Sequence, residues 1–314
     1  MKSPSGLRIV FFGTPEFAAY ILRYLAEQGE HIVGVVTIPD KPQGRGRKVK
    51  QSAVKEVAIQ LEIPILTPTK HRDPEFIESL KKLEADIFVV VAYKILPKEV
   101  FTIPPLGSFN VHASILPKYR GAAPIHWAII RGELETGVTT FLLDENIDTG
   151  RILLSKATPI GPDETTGDLH DKLMVLGAEI ALDTLRGLAG GTLKPTPQPD
   201  GAATSAPKIF PGDCLIDFNR PVEEVHNFIR GLSPHPVAVT ELPDGTRLKI
   251  LRSKIATDAP EGLSSGEFRV LPSGGRIFAG TASSPIEILE LQREGKRAMN
   301  ADEFLRGNKD IFQH

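Results

Sequence analysis

Apolar runs alternating with amphipathic stretches organise the first half of the chain. Leu7–Phe12 (LRIVFF) is a short apolar run that predicts a buried strand. It breaks at Gly13-Thr14-Pro15. Glu16–Gly29 then sets Phe17, Tyr20, Ile21 and Leu25 at helical spacing, with Gly29 as the stop. His31–Thr37 predicts a second strand, Gln51–Leu61 a helix and Ile63–Leu66 a brief strand. Asp73–Leu83 predicts a helix opened by Asp73-Pro74. Asp86–Ala92 (DIFVVVA) is apolar and β-branched, which predicts a central strand, and Ser108–His112 predicts another. The β-α-β order with short links implies parallel strands in an α/β sheet. Pro124–Arg131 predicts a helix, on which His126 and Trp127 are read as packing residues. Thr136–Leu143 and Ile152–Lys156 predict strands, and Thr165–Leu188 predicts a long helix ended by Gly190-Gly191.

The pattern changes after residue 192. Leu193–Pro207 (LKPTPQPDGAATSAP) has four prolines and no periodicity, which reads as an extended linker. The expected division is therefore 1–192, a linker at 193–208, and a second domain at 209–314. That domain opens with a helix, Val222–Leu232. Five short strand-like runs follow, at Val237–Glu241, Leu248–Ile255, Gly266–Val270, Arg276–Ala279 and Ile286–Leu291. Five short strands with turn signals predict a small β-barrel of oligonucleotide-binding type.

Composition removes several function classes. The 314 residues carry a net charge of −2, so nucleic-acid contact would need a local basic patch. Cys214 is the lone cysteine, which excludes an intrachain disulfide and a cysteine zinc cluster and fits a reducing, cytoplasmic compartment. The apolar run Ile9–Phe12 is too short for a secretory core, and no segment reaches membrane-spanning length. Gly13–Phe17 lacks the spaced glycines of a dinucleotide fingerprint.

Candidate chemistry begins in Ser108–Pro124 (SFNVHASILPKYRGAAP). Asn110 and His112, two apart on a strand, share one face and present a carboxamide beside an imidazole. Pro117, Gly121 and Pro124 turn the backbone away where the pair ends. A donor beside a titratable base at a strand end suits acyl-group chemistry; the same pair buried would merely pin a loop. The turn Asp144–Gly150 (DENIDTG) offers Asp148 as a carboxylate partner that would fix the imidazole tautomer, with Asp144 and Glu145 as competitors. The loop Pro39–Lys50 gathers Lys41, Arg45, Arg47, Lys48 and Lys50 around Gly44 and Gly46. It reads either as a solvated surface loop or as a phosphate clamp ordered by its partner.

Asn110-Val111-His112-Ala113-Ser114-Ile115-Leu116-Pro117, followed by Arg120–Ile125, resembles the signature of the folate-dependent formyltransferases, and Ile147–Gly150 resembles their second signature. The basic loop, the second domain and the run Leu291–Gly307 resemble the branch that formylates charged initiator tRNA. The likeness implies a Rossmann-like formyltransferase domain, 10-formyltetrahydrofolate as formyl donor and co-substrate, and initiator methionyl-tRNA as partner, with no metal, membrane or protein partner. It implies Asn110, His112 and Asp148 as the catalytic set. It places the folate beside Ser114, Ile115, Leu116 and Pro117 and beside Tyr93, Ile95 and Leu96, and sets the basic loop against the tRNA acceptor end. Lys94, Ser205 and Phe218 depart from the family pattern, where glycine, tyrosine and tryptophan are common. A sugar-nucleotide N-formyltransferase, a formyltetrahydrofolate hydrolase and an inert RNA-binding module are the alternatives.

Overall fold

The computed structural model describes residues 4–43, 48–271, 275–308 and 311–312, with residues 41–43, 48 and 49 described by backbone alone. Two compact units are present. The first comprises residues 1–121, 137–158 and 170–205, and the second comprises residues 122–136, 159–169 and 206–314. Each unit thus gathers pieces from separate parts of the chain.

The first unit is built on a seven-stranded sheet. Its strands are β1 (Arg8–Gly13), β2 (His31–Val36), β5 (Ile65–Leu66), β6 (Ile87–Val91), β7 (Ser108–His112), β9 (Glu135–Leu142) and β10 (Ile152–Pro159), in the order β10-β9-β7-β6-β1-β2-β5. The five strands from β7 to β5 run parallel, and β9 is antiparallel to β7. Helices α1 (Glu16–Glu27), α2 (Ala53–Gln60), α3 (Pro74–Lys82) and α4 (Lys98–Phe101) make the crossovers. The central strands are apolar because both faces are covered: Phe11, Phe12, Phe88, Val89 and Phe109 are fully buried. Asp73 caps α3 through its side chain, with Pro74 in the first turn, as the sequence signals. Gly13 lets α1 approach the end of β1, since a Cβ there would lie 2.7 Å from the Ala18 Cβ. The chain order reverses between β1 and β6, and the carboxyl ends of such strands are where open α/β sheets bind ligands.

Two expectations shift in detail. Residues 39–50 were expected as a loose loop, yet β3 (Lys41–Gln43) and β4 (Lys48–Lys50) pair as an antiparallel ladder. The stretch 193–205 is extended but bonded along its length: Thr196 exchanges two 2.8 Å backbone bonds with Ile152, and the Thr204 carbonyl accepts from the Arg120 N–H. A short pair, β8 (Arg120–Gly121) with β11 (Ser205–Ala206), lies at this point.

The second unit holds α5 (Pro124–Ile130), α7 (Val222–Gly231) and an antiparallel sheet. Its strands are β12 (Ala238–Glu241), β13 (Arg247–Ile255), β14 (Phe268–Leu271), β15 (Arg276–Ala279) and β16 (Ile286–Arg293), joined by β17 (Met299–Asn300). The ladder runs β12-β13-β16-β15-β14, so β12 and β14 are its ends among the described residues. Helix α6 (Thr166–Ala189) precedes this region, and α8 (Ala301–Gly307) closes it. The apolar face of α7, with Val222, Val225 and Ile229, packs with Leu248, Ile250, Ile277, Ile288 and Phe304.

His226 on α7 is buried with both ring nitrogens engaged. Nε2 meets the Pro162 carbonyl at 3.1 Å and Nδ1 meets Ser253 Oγ at 3.0 Å. A carbonyl only accepts, so Nε2 carries the hydrogen and Nδ1 accepts from serine. Burial lowers the imidazole pKa below its ordinary 6.5, with Arg230 adding to the effect. The unfolded chain therefore binds more protons between the folded value and 6.5, and stability falls as pH drops through that window. Denaturant melts from pH 7 to pH 5 should show this loss, and His226→Gln should flatten the slope.

Candidate active site

Strand β7 aligns Asn110 between Val90 of β6 and Phe141 of β9, with His112 at its carboxyl end opposite Thr139. Asn110 is half-buried, and its carboxamide makes no hydrogen bond with the described residues. His112 is 5% exposed and packs edge-on against Phe141. Its Nε2 lies 2.9 Å from the Tyr119 carbonyl oxygen. The neutral ring therefore carries its hydrogen on Nε2 and leaves the Nδ1 lone pair free.

Nδ1 faces Asp148, with Oδ2 at 3.7 Å. That distance is too long for a direct hydrogen bond. The expectation that Asp148 sets the tautomer is thereby corrected: the Tyr119 carbonyl sets it. The gap has its own use, because one N–H or water placed within hydrogen-bond reach of both atoms would bridge them. Asp148 Oδ2 is held instead by the Gly121 backbone N–H at 2.8 Å. Its competitors are occupied elsewhere. Asp144 closes its own turn by accepting from Asn146 N and Thr149 Oγ1, and Glu145 pairs with Lys98 at 2.5 Å.

Both arms of the site are held in costly backbone. Tyr119 has φ 62° and Asp148 φ 55°, and Ala92, just before Tyr93, has φ 44°. The left-handed region costs an L-residue on the order of 1–2 kcal/mol, less for aspartate. For Tyr119 that conformation accompanies a carbonyl aimed at His112. Gly150 meets a different constraint, since a Cβ there would sit 1.6 Å from the Leu142 carbonyl oxygen.

Gln198 ties these pieces together. Its Nε2 donates to the carbonyls of Asp148 (2.9 Å) and Gly150 (2.8 Å), while its Oε1 accepts from Arg120 Nη2 (2.8 Å) and Nε (3.1 Å). Thr204 Oγ1 accepts from the Tyr119 N–H at 2.9 Å. Sequence reasoning missed Gln198, Thr204, the Tyr119 carbonyl and the Gly121 amide. Backbone groups carry no side-chain signal, and the glutamine lies inside a proline-rich stretch.

The expected folate residues divide by role. Ser114 is buried and donates to the Lys118 carbonyl, and the Leu116 N–H donates to Thr139 Oγ1, so these two shape the turn. Ile115 and Pro117 are half-buried. Leu96 is packed in the core with Phe12 and Phe88, whereas Ile95 is 73% exposed. Tyr93 packs against Phe12, and its hydroxyl lies 3.0 Å from His71 Nε2. Burial pushes the Tyr93 pKa up to about 12 and, with the Lys94 charge nearby, lowers that of His71, so the Tyr93–His71 pair is uncharged at neutral pH. Of the basic cluster, Lys50 is exposed, Lys41 and Lys48 lie on the ladder, and Arg45 and Arg47 lie outside the described residues.

Residues 7–185 match the model of the family described as Formyl transferase, and residues 208–309 match that of Formyl transferase, C-terminal domain. The chain is 44% identical to a protein of Bacteroides thetaiotaomicron named methionyl-tRNA formyltransferase, over 96% of this chain and 95% of that one. It is 48% identical to a protein of the same name from Citrifermentans bemidjiense, over 97% and 95%. Among solved structures it resembles WlaRD, a sugar 3N-formyl transferase determined with dTDP and 5-N-formyl-THF. The TM-score is 0.67 at 21% identity, covering 93% of this chain and 99% of that one. It also resembles HypX from Aquifex aeolicus in complex with tetrahydrofolic acid, with TM-score 0.66 at 17% identity, covering 95% and 47%. At such identities these two structures show the fold alone.

If Gln198 positions Asp148, Gln198→Ala should lower turnover about tenfold while changing stability by about 1 kcal/mol, the scale of a hydrogen bond. Gln198→Glu, which keeps the acceptor for Arg120 but not the donors, should not restore turnover. Kinetics beside a urea melt checks this.

Proposed function

Because the chain belongs to the methionyl-tRNA formyltransferase family, we propose that Asn110, His112 and Asp148 carry its formyl transfer from 10-formyltetrahydrofolate to the α-amino group of methionine on initiator tRNA. The observation that supports this most is the unpartnered Asn110 carboxamide beside a fixed His112–Asp148 gap of 3.7 Å. The donor supplies the formyl group when bound. The exposed Ile95, in the segment that follows β6, offers beside Tyr93 the apolar surface that a flat heteroaromatic ring would cover.

The chain's own groups then have distinct tasks. An α-amino group ordinarily titrates at about 7.7–8.0, so one proton must leave before it attacks. Asp148, with Oδ2 fixed by Gly121, accepts hydrogen bonds from the incoming amine and orients it. The first proton leaves to solvent. Once the neutral amine has attacked, His112 Nδ1 takes the proton that the attacking nitrogen must then shed as the formyl carbon's bond to the donor nitrogen breaks, because Nε2–H is already committed to Tyr119. The resulting imidazolium directs a new N–H toward Asp148 and can pass that proton to the departing nitrogen. Asn110 donates an N–H to the oxygen that gains charge, an effect worth roughly 3–4 kcal/mol for one such donor. Nothing here needs a covalent adduct with the protein.

Lys41, Arg45, Arg47, Lys48 and Lys50 would grip phosphates near the acceptor end of the tRNA. The charged-tRNA substrate and the single Cys214 support a cytoplasmic location. Among the described residues no helix is long and apolar enough to cross a membrane. A sugar-nucleotide amine or water as acceptor would use the same three residues, but identity across both halves of the chain favours tRNA.

In single-turnover formylation, Asn110→Ala should slow transfer about 10²–10³-fold. His112→Ala and Asp148→Asn should remove most of it, all three with wild-type circular dichroism. Near-normal rates for His112→Ala and Asp148→Asn would refute the assignment. Neutralising Arg45 and Arg47 together should weaken tRNA binding and lower its salt slope by about 2, leaving folate affinity unchanged.

A further inference from the structure

Five rings of the first unit form a continuous series. Centroid distances are 5.0 Å from Phe88 to Phe12, 5.6 Å from Phe12 to Tyr93, 5.5 Å from Tyr93 to His71 and 6.0 Å from His71 to Phe76. Phe12, Phe76 and Phe88 are buried in one apolar cluster, which anchors the series at both ends. Tyr93 and His71, between them, are half-buried and carry the polar atoms. Their planes are perpendicular, and the Tyr93 hydroxyl lies 3.0 Å from His71 Nε2. No other described residue hydrogen-bonds that hydroxyl. His71 sits in the link between β5 and α3, which is itself fixed: the Asp73 N–H donates to the Lys70 carbonyl, and Asp73 caps α3.

The place of Tyr93 in the sheet makes its orientation matter. Strands β6 and β7 end side by side, with Val91 opposite Val111. Tyr93 follows Val91 by two residues and His112 follows Val111 directly, so the phenol belongs to the same carboxyl edge as the formyl-transfer residues. The chain reaches it through Ala92 at φ 44°. A left-handed alanine is strained and persists only where its surroundings hold it. Ring packing against Phe12 is only loosely directional, whereas a hydrogen bond fixes the hydroxyl end of the ring. His71 supplies that bond from a segment about twenty residues away in sequence.

We propose that His71 is a positioning residue for the formyl donor: by holding the Tyr93 hydroxyl it presets the wall that the donor's heteroaromatic ring covers. It acts through Tyr93 and touches no reacting atom. The inference rests on the reading above that the donor lies against Tyr93 and Ile95. A wall ordered in advance adds no ordering cost to binding. Losing the bond therefore weakens donor binding and leaves alone the chemical step carried by Asn110, His112 and Asp148.

Steady-state kinetics on the full-length chain, varying 10-formyltetrahydrofolate and charged initiator tRNA in turn, test this beside urea melts. His71→Phe keeps a ring against Tyr93, and Tyr93→Phe keeps a ring against Phe12; each deletes the bond. Each should raise the KM for the donor about three- to tenfold, the scale of one hydrogen bond, with kcat and the KM for tRNA within about twofold of wild type. The double variant should add less than about twofold to either single effect, because both remove one interaction. His71→Gln, which keeps a hydrogen-bonding group at the end of the side chain, should bring the donor KM back to within about twofold of wild type. An unchanged donor KM in the single variants, whatever their melts show, or effects that multiply in the double variant, would overturn the role. Should His71→Phe fail to fold, Tyr93→Phe deletes the same bond and decides. Ile95→Asp separates this outcome from failure of the underlying reading. A raised donor KM in Ile95→Asp with none in the His71 and Tyr93 variants sinks the positioning role alone. No change in any of them places the donor elsewhere, and both fall.

Discussion

Three consecutive backbone positions govern the geometry of the site. The Tyr119 carbonyl accepts from His112 Nε2, and the Gly121 amide donates to Asp148 Oδ2. Arg120 between them is held by Gln198. One short segment therefore fixes the imidazole tautomer and aims the carboxylate at the same time. Neither side chain has to hold the other. The 3.7 Å between them stays open for a substrate group, which a direct His–Asp hydrogen bond would have closed.

That segment is itself held by neighbours far away in sequence. Thr204 receives the Tyr119 N–H, and Gln198 joins Arg120 to the carbonyls of Asp148 and Gly150. The strap at 193–205 therefore does more than span a gap. It braces the loop that carries Asp148 and the segment 119–121 that holds His112 and Asp148 in place. Tyr119 and Asp148 both adopt positive φ, a conformation that persists only where surrounding bonds over-determine it. The parallel sheet supplies the remaining constraint by ending β6 and β7 side by side at its carboxyl edge.

Much of this was legible in the residues. The run DIFVVVA became the central strand β6, Asp73-Pro74 became a side-chain-capped helix start, and alternation put Asn110 and His112 on one face of β7. Asp148 could be named as a candidate but not separated from Asp144 and Glu145, because that choice depends on which turn each carboxylate closes. The tautomer was beyond reach, since a main-chain carbonyl decides it and every residue has one. The proline-rich stretch looked like a linker because it lacks periodicity. Its order comes from bonds to Ile152, Tyr119 and Arg120 that no local pattern encodes.

The most direct test of the central claim is the tautomer of the neutral His112 ring, read from ¹⁵N chemical shifts and long-range ¹H–¹⁵N couplings. The account predicts a hydrogen on Nε2 and an unprotonated Nδ1 in the neutral ring. A neutral ring carrying its hydrogen on Nδ1 would contradict it, since the lone pair would then point at the Tyr119 carbonyl and no base would face Asp148.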